Sequence, residues 1–343
     1  MPDVLIGLLI VIVGGAMEGA FSFPVRMAGT HWRWENTWAA GSLAALVLVP
    51  FPLAFATVPQ LGAVFAGCAW PTLFSTFLFG CGWGVGSIFF GLGVAELGMS
   101  VGLSLIMSLI AIGGLLVPLL IQRPEQFAKP AGVATLAGIA VMIAGISICA
   151  YAGHVRQKAA GSLEESSVPA RRLRQGILYC VLSGVLSPMV NFALIFGGGI
   201  ADSAIRYGAT PANANNAIWA LVFTANYSVN ILYCLWLMRR NGTLECYRAP
   251  GAGPNWAGAA AMGLLWAGGV AVYGAGATRM GPLGAFLGFP VMLICSILTG
   301  NLIGALSGEW EGAPAQAKRT MTGGVVVLLA AISFLGFANA LAG

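Results

Sequence analysis

Ten stretches of about twenty residues in this chain carry almost no charge, and a chain so divided has few folds open to it. In the first half they run over residues 4–23, 37–57, 71–92, 99–121 and 131–151. In the second half they run over 175–196, 213–238, 255–275, 282–305 and 320–341. About 20 helical residues at 1.5 Å each cross a hydrocarbon core about 30 Å thick. Only 8% of the 343 residues are charged, against about 25% in soluble domains, so water is a poor solvent for this chain. Lipid offers the backbone no hydrogen-bond partners, which restricts spanning segments to helices and closed barrels. These stretches are apolar on every side and do not alternate with period two, so helices are predicted.

A repeat constrains the arrangement further. Gly80, Trp83, Gly86, Gly91, Gly93 and Gly98 recur 183 residues later as Gly263, Trp266, Gly269, Gly274, Gly276 and Gly281. Glycine supplies 49 of 343 residues, so single matches carry little weight. Five of them with a matched tryptophan at one offset carry much more. The same offset lays the third and fourth stretches on the eighth and ninth. Two similar halves in a membrane chain are the architecture of secondary transporters, with the substrate site between them.

Charge sets the orientation. Arg26, Arg33, Arg156, Lys158, Arg171 and Arg172 lie in loops after odd-numbered stretches, as do Arg174, Arg239, Arg240, Arg248, Lys318 and Arg319. Only Arg123, Lys129, Arg206 and Arg279 lie on the other face. The positive-inside rule then places the first group in the cytoplasm and both termini outside. Five crossings per half give the halves opposite topology. The expected fold is an all-α integral membrane protein of ten transmembrane helices in two inverted five-helix repeats. The repeats are residues 1–151 and 175–343. Residues 152–174, polar and mixed in charge, form a mobile cytoplasmic strap between them.

The net charge of +5 thus reports orientation in a lipid bilayer and gives no reason to expect a nucleic-acid partner. The apolar start lacks a basic leader and runs into a second span, unlike a signal peptide. The seven cysteines show no metal spacing and read as small buried hydrophobes. Glycines four apart, as at Gly300, Gly304 and Gly308, bring helices close, either for static packing or for sliding surfaces.

Polar residues inside spans need a cavity or a partner. Tyr179, Ser183, Ser187 and Asn191 share one helical face, as do Trp219, Asn226, Asn230 and Tyr233, and again Ser100, Ser104 and Ser108. A lone serine there bonds its own backbone; stripes that include carboxamides line an aqueous cavity, with Asn226 and Asn230 the leading candidates. Trp83 and Trp266 are mid-span, unlike Trp32, Trp34, Trp38, Trp236 and Trp310, which fall where interfacial tryptophans do. The mid-span pair either stacks on a sugar or fills space left by glycines. Glu18 is the only charged residue within a predicted span. An ionised group at a helix centre costs about 3 kcal/mol on insertion scales, so Glu18 either relays a proton or snorkels to the nearby interface.

Several runs resemble the L-rhamnose–proton symporter family, a ten-helix branch of the drug/metabolite transporter superfamily. They are Trp32-Arg-Trp-Glu-Asn-Thr-Trp38, Phe79-Gly-Cys-Gly-Trp-Gly-Val-Gly86, Gly91-Leu92, Leu97-Gly-Met-Ser-Val-Gly102 and Gly308-Glu-Trp310. The resemblance spans the chain and implies proton-driven import of a deoxysugar across the bacterial inner membrane. The chain departs from the family pattern at Ser87, Phe90 and Glu18, and in the apolar run from Gly281 to Pro290. The polar stripes and mid-span indoles give the expected substrate site as Asn226, Asn230, Tyr233, Trp219, Ser187, Asn191, Trp83, Trp266 and Ser104, with Glu18 for proton coupling. No cofactor beyond the proton gradient is expected, and nothing in the sequence sets an oligomeric state. An exporter of drug-like molecules on the same fold is the alternative. An enzyme is not expected: the two histidines, His31 and His154, lie in loops, and no paired carboxylates occur within the spans.

Overall fold

A computed structural model describes residues 2–21, 23–24, 32–122, 124–159, 170–281, 284–308 and 310–342. Arg26, His31, Arg123, Glu309 and the middle of the expected strap, 160–169, lie outside the described residues.

The first half comprises α1 (Pro2–Ala20), α2 (Trp34–Leu43), α3 (Pro50–Thr57), the short α4 (Leu61–Ala66), α5 (Trp70–Gln122) and α6 (Pro130–Ala159). The second comprises α7 (Ala170–Leu186), α8 (Met189–Phe196), α9 (Gly198–Arg206), α10 (Asn215–Asn241), α11 (Gly253–Arg279), α12 (Gly284–Leu306) and α13 (Ala315–Ala342). Among the described residues nine helical runs are long and apolar enough to cross a membrane. The shorter apolar run Leu105–Ile121 lies where the fourth stretch was expected. The chain is an all-helical integral membrane protein.

Three expectations are corrected. The third and fourth stretches are not separated by a loop: α5 runs through both but folds back on itself. Residues eight apart along a straight helix are separated by about 12 Å, yet a methyl group on Gly102 would lie 3.1 Å from the Cα of Val94. Glycines at the inside of the bend let the two arms meet. The flanks of the strap are also helical, since α6 continues to Ala159 and α7 begins at Ala170. Arg156 and Lys158 sit in the last turn of α6, where the helix dipole favours cations. Arg156 also lies 4.9 Å from the centre of the Trp310 ring.

The third correction concerns the second stretch, which begins at Trp34 and so takes Glu35 and Asn36 into a helix. Glu18 is therefore not the only carboxylate in the spans. Glu35 is 5% exposed and accepts hydrogen bonds from Asn241 Nδ2 and Thr243 Oγ1, both at 2.9 Å. Asn36 donates to the Thr243 carbonyl at 2.8 Å, and the Tyr247 hydroxyl donates to the Asn36 carbonyl at 3.0 Å. Burial pushes the Tyr247 phenol up to about 12, which keeps it a donor. The Trp-x-Trp-Glu run thus ties the start of α2 to the turn after α10. Beyond α2 a π-helical turn (Ala44–Leu48) precedes Pro50, which lacks an N–H and interrupts the regular ladder.

The repeated glycines make matched contacts. A methyl group on Gly86 would lie 2.9 Å from the Ser187 amide nitrogen, and one on Gly93 3.1 Å from that of Cys180. At the 183-residue offset, Gly269 would meet the Glu18 amide nitrogen at 3.0 Å and Gly276 that of Val11 at 2.9 Å. Backbones this close leave no space for a side chain, which fixes glycine at both ends of the offset. The contacts place α1 on α7 at an offset of 169, which pairs Gly7 with Gly176, Gly15 with Gly184 and Glu18 with Ser187. Gly15 faces Met292 and Gly184 faces Leu109, themselves 183 apart. Gly80 faces Ala225 and Gly263 faces Ala44, so α2 matches α10 at an offset of 181. That register pairs Trp38 with Trp219 and Ala45 with Asn226.

Contacts between the ends sort the loops into two faces. On one, Trp32 Nε1 donates to the Cys246 carbonyl at 3.1 Å. There too Arg172 lies 3.6 Å from Glu96, and Arg156 lies over Trp310. On the other, Asn216 donates to Thr57 at 2.9 Å, Ser203 to the Val64 carbonyl at 3.0 Å, and Asn339 to the Met280 carbonyl at 3.0 Å. The first set of contacts joins turns after odd-numbered stretches to one another, and the second joins helix ends beside even-numbered turns.

Candidate substrate cavity

A cavity of about 240 Å³ lies at the centre of the helices. It is smaller than the roughly 300–1,000 Å³ of drug-sized sites. Seven of the ten residues singled out from the sequence line it: Trp83, Trp219 and Trp266, the amides Asn191 and Asn226, and Ser187 and Glu18. Asn230 and Tyr233 do not. Asn230 stands behind Asn226, donating to its Oδ1 at 2.7 Å and to its backbone oxygen at 3.1 Å. Tyr233 stacks on Trp236 instead, ring centres 5.8 Å apart. The Ser104 side chain lies outside the described residues, and the wall formed by that arm of α5 is Met107 and Ile110, not Ser108.

The repeat-matched tryptophans meet each other. Trp83 and Trp266 stack at 5.4 Å and 20°, and Phe223 tilts against both at 5.8 and 5.3 Å. Trp219 stacks on Phe223 at 5.2 Å. The two central indoles line the cavity together with Trp219, and the four-ring cluster also packs the space beside the glycines. Trp38 is corrected from an interfacial residue to a wall of the cavity. It stacks on Trp34 at 5.7 Å and donates from Nε1 to Asn230 Oδ1 at 2.8 Å.

Ser187 and Asn191 reach the cavity from a broken helix. Pro188 separates α7 from α8, yet the Ser187 amide still donates to the Ser183 carbonyl at 2.8 Å. Asn191 donates to the Gly114 carbonyl at 2.6 Å and accepts from the Tyr273 hydroxyl at 3.1 Å. Tyr273 was missed in the sequence although the 183-residue offset sets it opposite Phe90; attention to identities passed over the one position of the pair that gained a hydroxyl. Ser87, Phe90, Ser42, Ser296, Phe21 and Phe289 add to the polar and aromatic lining.

Glu18 projects from α1 into this cavity, and its Oε2 is buried without a hydrogen-bond partner. The side chain does not snorkel to the interface. Trp219 Nε1 and Asn226 Nδ2 are also buried and unpartnered; the indole nitrogen would lie 3.2 Å from a methyl on Gly274. Unmet buried polar groups of both kinds, donor and carboxylate, suit a small ligand rich in hydroxyls. Among the described residues no three His, Cys, Asp or Glu side chains converge to hold a metal ion.

The family model described as L-rhamnose-proton symport protein matches residues 2–341. The chain belongs to that family. Its members are transporters and not enzymes. Among its relatives is the L-rhamnose-proton symporter of Mannheimia succiniciproducens, 26% identical over 98% of this chain and 99% of that protein. The L-rhamnose-proton symporters of Yersinia pestis strain Pestoides F and Yersinia pseudotuberculosis serotype O:1b are each 24% identical, over 98% of both chains.

Proposed function

We propose that this chain is a secondary active transporter that brings a monosaccharide, L-rhamnose or a related sugar, into the cell together with a proton. The observation that carries this reading is the central cavity, where an amide donor, stacked indoles and a carboxylate with an unpartnered oxygen meet. The amides and indoles suit the hydroxyls and C–H faces of a sugar. Glu18 binds the proton, which relieves the penalty of an ionised group in the span, of the order of 3 kcal/mol. Membership of a symport family favours import over the exporter alternative.

The transporter has ten transmembrane helices in two inverted five-helix repeats, residues 1–151 and 175–343, joined by a cytoplasmic linker over 152–174. The matched glycine contacts and the sorting of turns onto two faces support this arrangement. The excess of Lys and Arg after odd-numbered stretches supports both termini lying in the periplasm of the bacterial inner membrane. Reporter fusions active only in the periplasm should work at the C-terminus and fail at Gly161; the reverse pattern overturns the orientation. Uptake of labelled monosaccharides into proteoliposomes tests the function. L-rhamnose should accumulate only under an inward proton gradient, and accumulation independent of the gradient would refute symport.

A further inference from the structure

Trp38, Asn230 and Asn226 form a chain of hydrogen bonds whose direction is fixed at one end. An indole N–H can only donate. Trp38 Nε1 lies 2.8 Å from a terminal atom of Asn230, and that atom must be the carbonyl oxygen. Asn230 then turns its nitrogen to Asn226, 2.7 Å from Oδ1. Asn226 is thereby left with Nδ2, which is buried and has no partner, on a residue that lines the cavity. Both asparagines are 1% exposed, so water does not compete for these groups. Turning either amide over would set two donors or two acceptors face to face.

We infer that Trp38 and Asn230 are positioning residues that lock the Asn226 amide with its N–H toward the transported molecule, making this point of the cavity specific for a hydrogen-bond acceptor. The identity of the ligand rests on the sugar-transport reading; the lock is a property of the protein. A sugar hydroxyl satisfies the site through a lone pair. Replacing that hydroxyl by fluorine keeps an acceptor, whereas replacing it by hydrogen removes it. Asn230 acts without touching the ligand, since it does not line the cavity.

The test compares monodeoxy and monodeoxyfluoro analogues of L-rhamnose as inhibitors of labelled L-rhamnose uptake into proteoliposomes. With the unaltered protein, one ring position should prefer fluorine over hydrogen by about tenfold. That preference should vanish in Asn226→Ala and fall below about threefold in both Asn230→Ala and Trp38→Phe. In the Asn226→Ala background the Asn230→Ala substitution, at a residue that does not line the cavity, should not weaken the analogues further. A fluorine preference unchanged in Asn230→Ala, or losses that multiply in the double variant, would overturn the lock. Trp38→Phe removes the same anchor, so the result does not hang on one variant folding. A second arm needs no sugar. The nitrogen-15 indole resonance of Trp38, assigned by its loss in Trp38→Phe, should move upfield in Asn230→Ala. An unmoved resonance overturns the inference whatever is transported. Protein that takes up no L-rhamnose sinks the substrate reading instead, and the indole arm still decides the lock.

Discussion

The two halves of the chain share their packing and divide their chemistry. Where α1 crosses α11, Gly269 and Gly276 take the Glu18 and Val11 backbones; where α7 crosses α5, Gly86 and Gly93 take those of Ser187 and Cys180. The tryptophans are duplicated too, as Trp83 with Trp266 and Trp38 with Trp219. The groups able to exchange hydrogen bonds with a ligand are not. Glu18 in the first half faces a serine at its matched position, and Asn226 in the second faces an alanine. Tyr273 holds Asn191 with a hydroxyl that Phe90 lacks. Helix contacts are demanded twice because two interfaces must close. In the proposed carrier a ligand and a proton need be bound only once, so polar groups are free to differ.

The largest expected effect lies at the matched glycines. Leucine at Gly86 or at Gly269 should each abolish recovery of folded, monodisperse protein on detergent size-exclusion chromatography, because a backbone nitrogen already lies within 2.9 or 3.0 Å of the first added carbon. Tolerance of one and not the other would end the claim of duplicated packing. Next in size is the proton. Glu18→Gln should lower gradient-driven accumulation by about tenfold or more while sugar exchange persists, since the amide mimics a protonated acid that cannot release its proton. Ser187→Ala, at the matched position, should keep the accumulation ratio within about twofold, since a hydroxyl lost there removes no titratable charge.

Smaller effects sharpen the division on the sugar side. Asn226→Ala should raise the half-saturation concentration about tenfold, as losing one hydrogen bond to a buried ligand is worth about 1–3 kcal/mol. Ala45→Ser at the matched position should change it by less than about twofold, with the same uptake assay as the measure. Tyr273→Phe makes the second half resemble the first, and removes a bond that holds Asn191 in place. A net contribution of about 0.5–1.5 kcal/mol predicts a loss of affinity of about two- to tenfold. An Asn191 that binds sugar unaided would leave Tyr273→Phe indistinguishable from the unaltered protein.

The spans were legible because hydropathy is local, but the start of the second moved where side chains bond across helices. Glu35 and Asn36 look like loop residues until Asn241 and Thr243, some two hundred positions on, supply their partners. The match of α1 with α7 was invisible for a related reason: only glycines at the crossings must coincide, and Gly7, Gly15, Gly176 and Gly184 are too few to stand out. In the cavity, helical stripes found Ser187, Asn191 and Asn226 but carried too far along α10. Trp219, Asn226 and Tyr233 follow one another at seven-residue intervals, and a straight helix drifts about 20° per heptad. Two heptads turn the stripe by only about 40° but carry Tyr233 about 21 Å along the axis from Trp219, beyond the residues that line the cavity. Trp38 was misplaced because proximity to a helix end says nothing of an indole N–H already claimed by Asn230.

Glu18 is the one acidic or basic side chain among the described residues of the cavity wall, and this sets a ceiling on what the proposed carrier can accumulate. A single carboxylate carries one proton per passage with an uncharged sugar, so each cycle moves one elementary charge. The membrane potential acts on that charge by about 2.3 kcal/mol per 100 mV. With about 1.4 kcal/mol for each factor of ten, a potential of 100 mV with equal pH on both sides sustains an inside-to-outside ratio of roughly fiftyfold, and each unit of pH difference adds a factor of about ten. A second coupled proton would square that ratio, and among the described residues of the wall there is no second carboxylate to carry one.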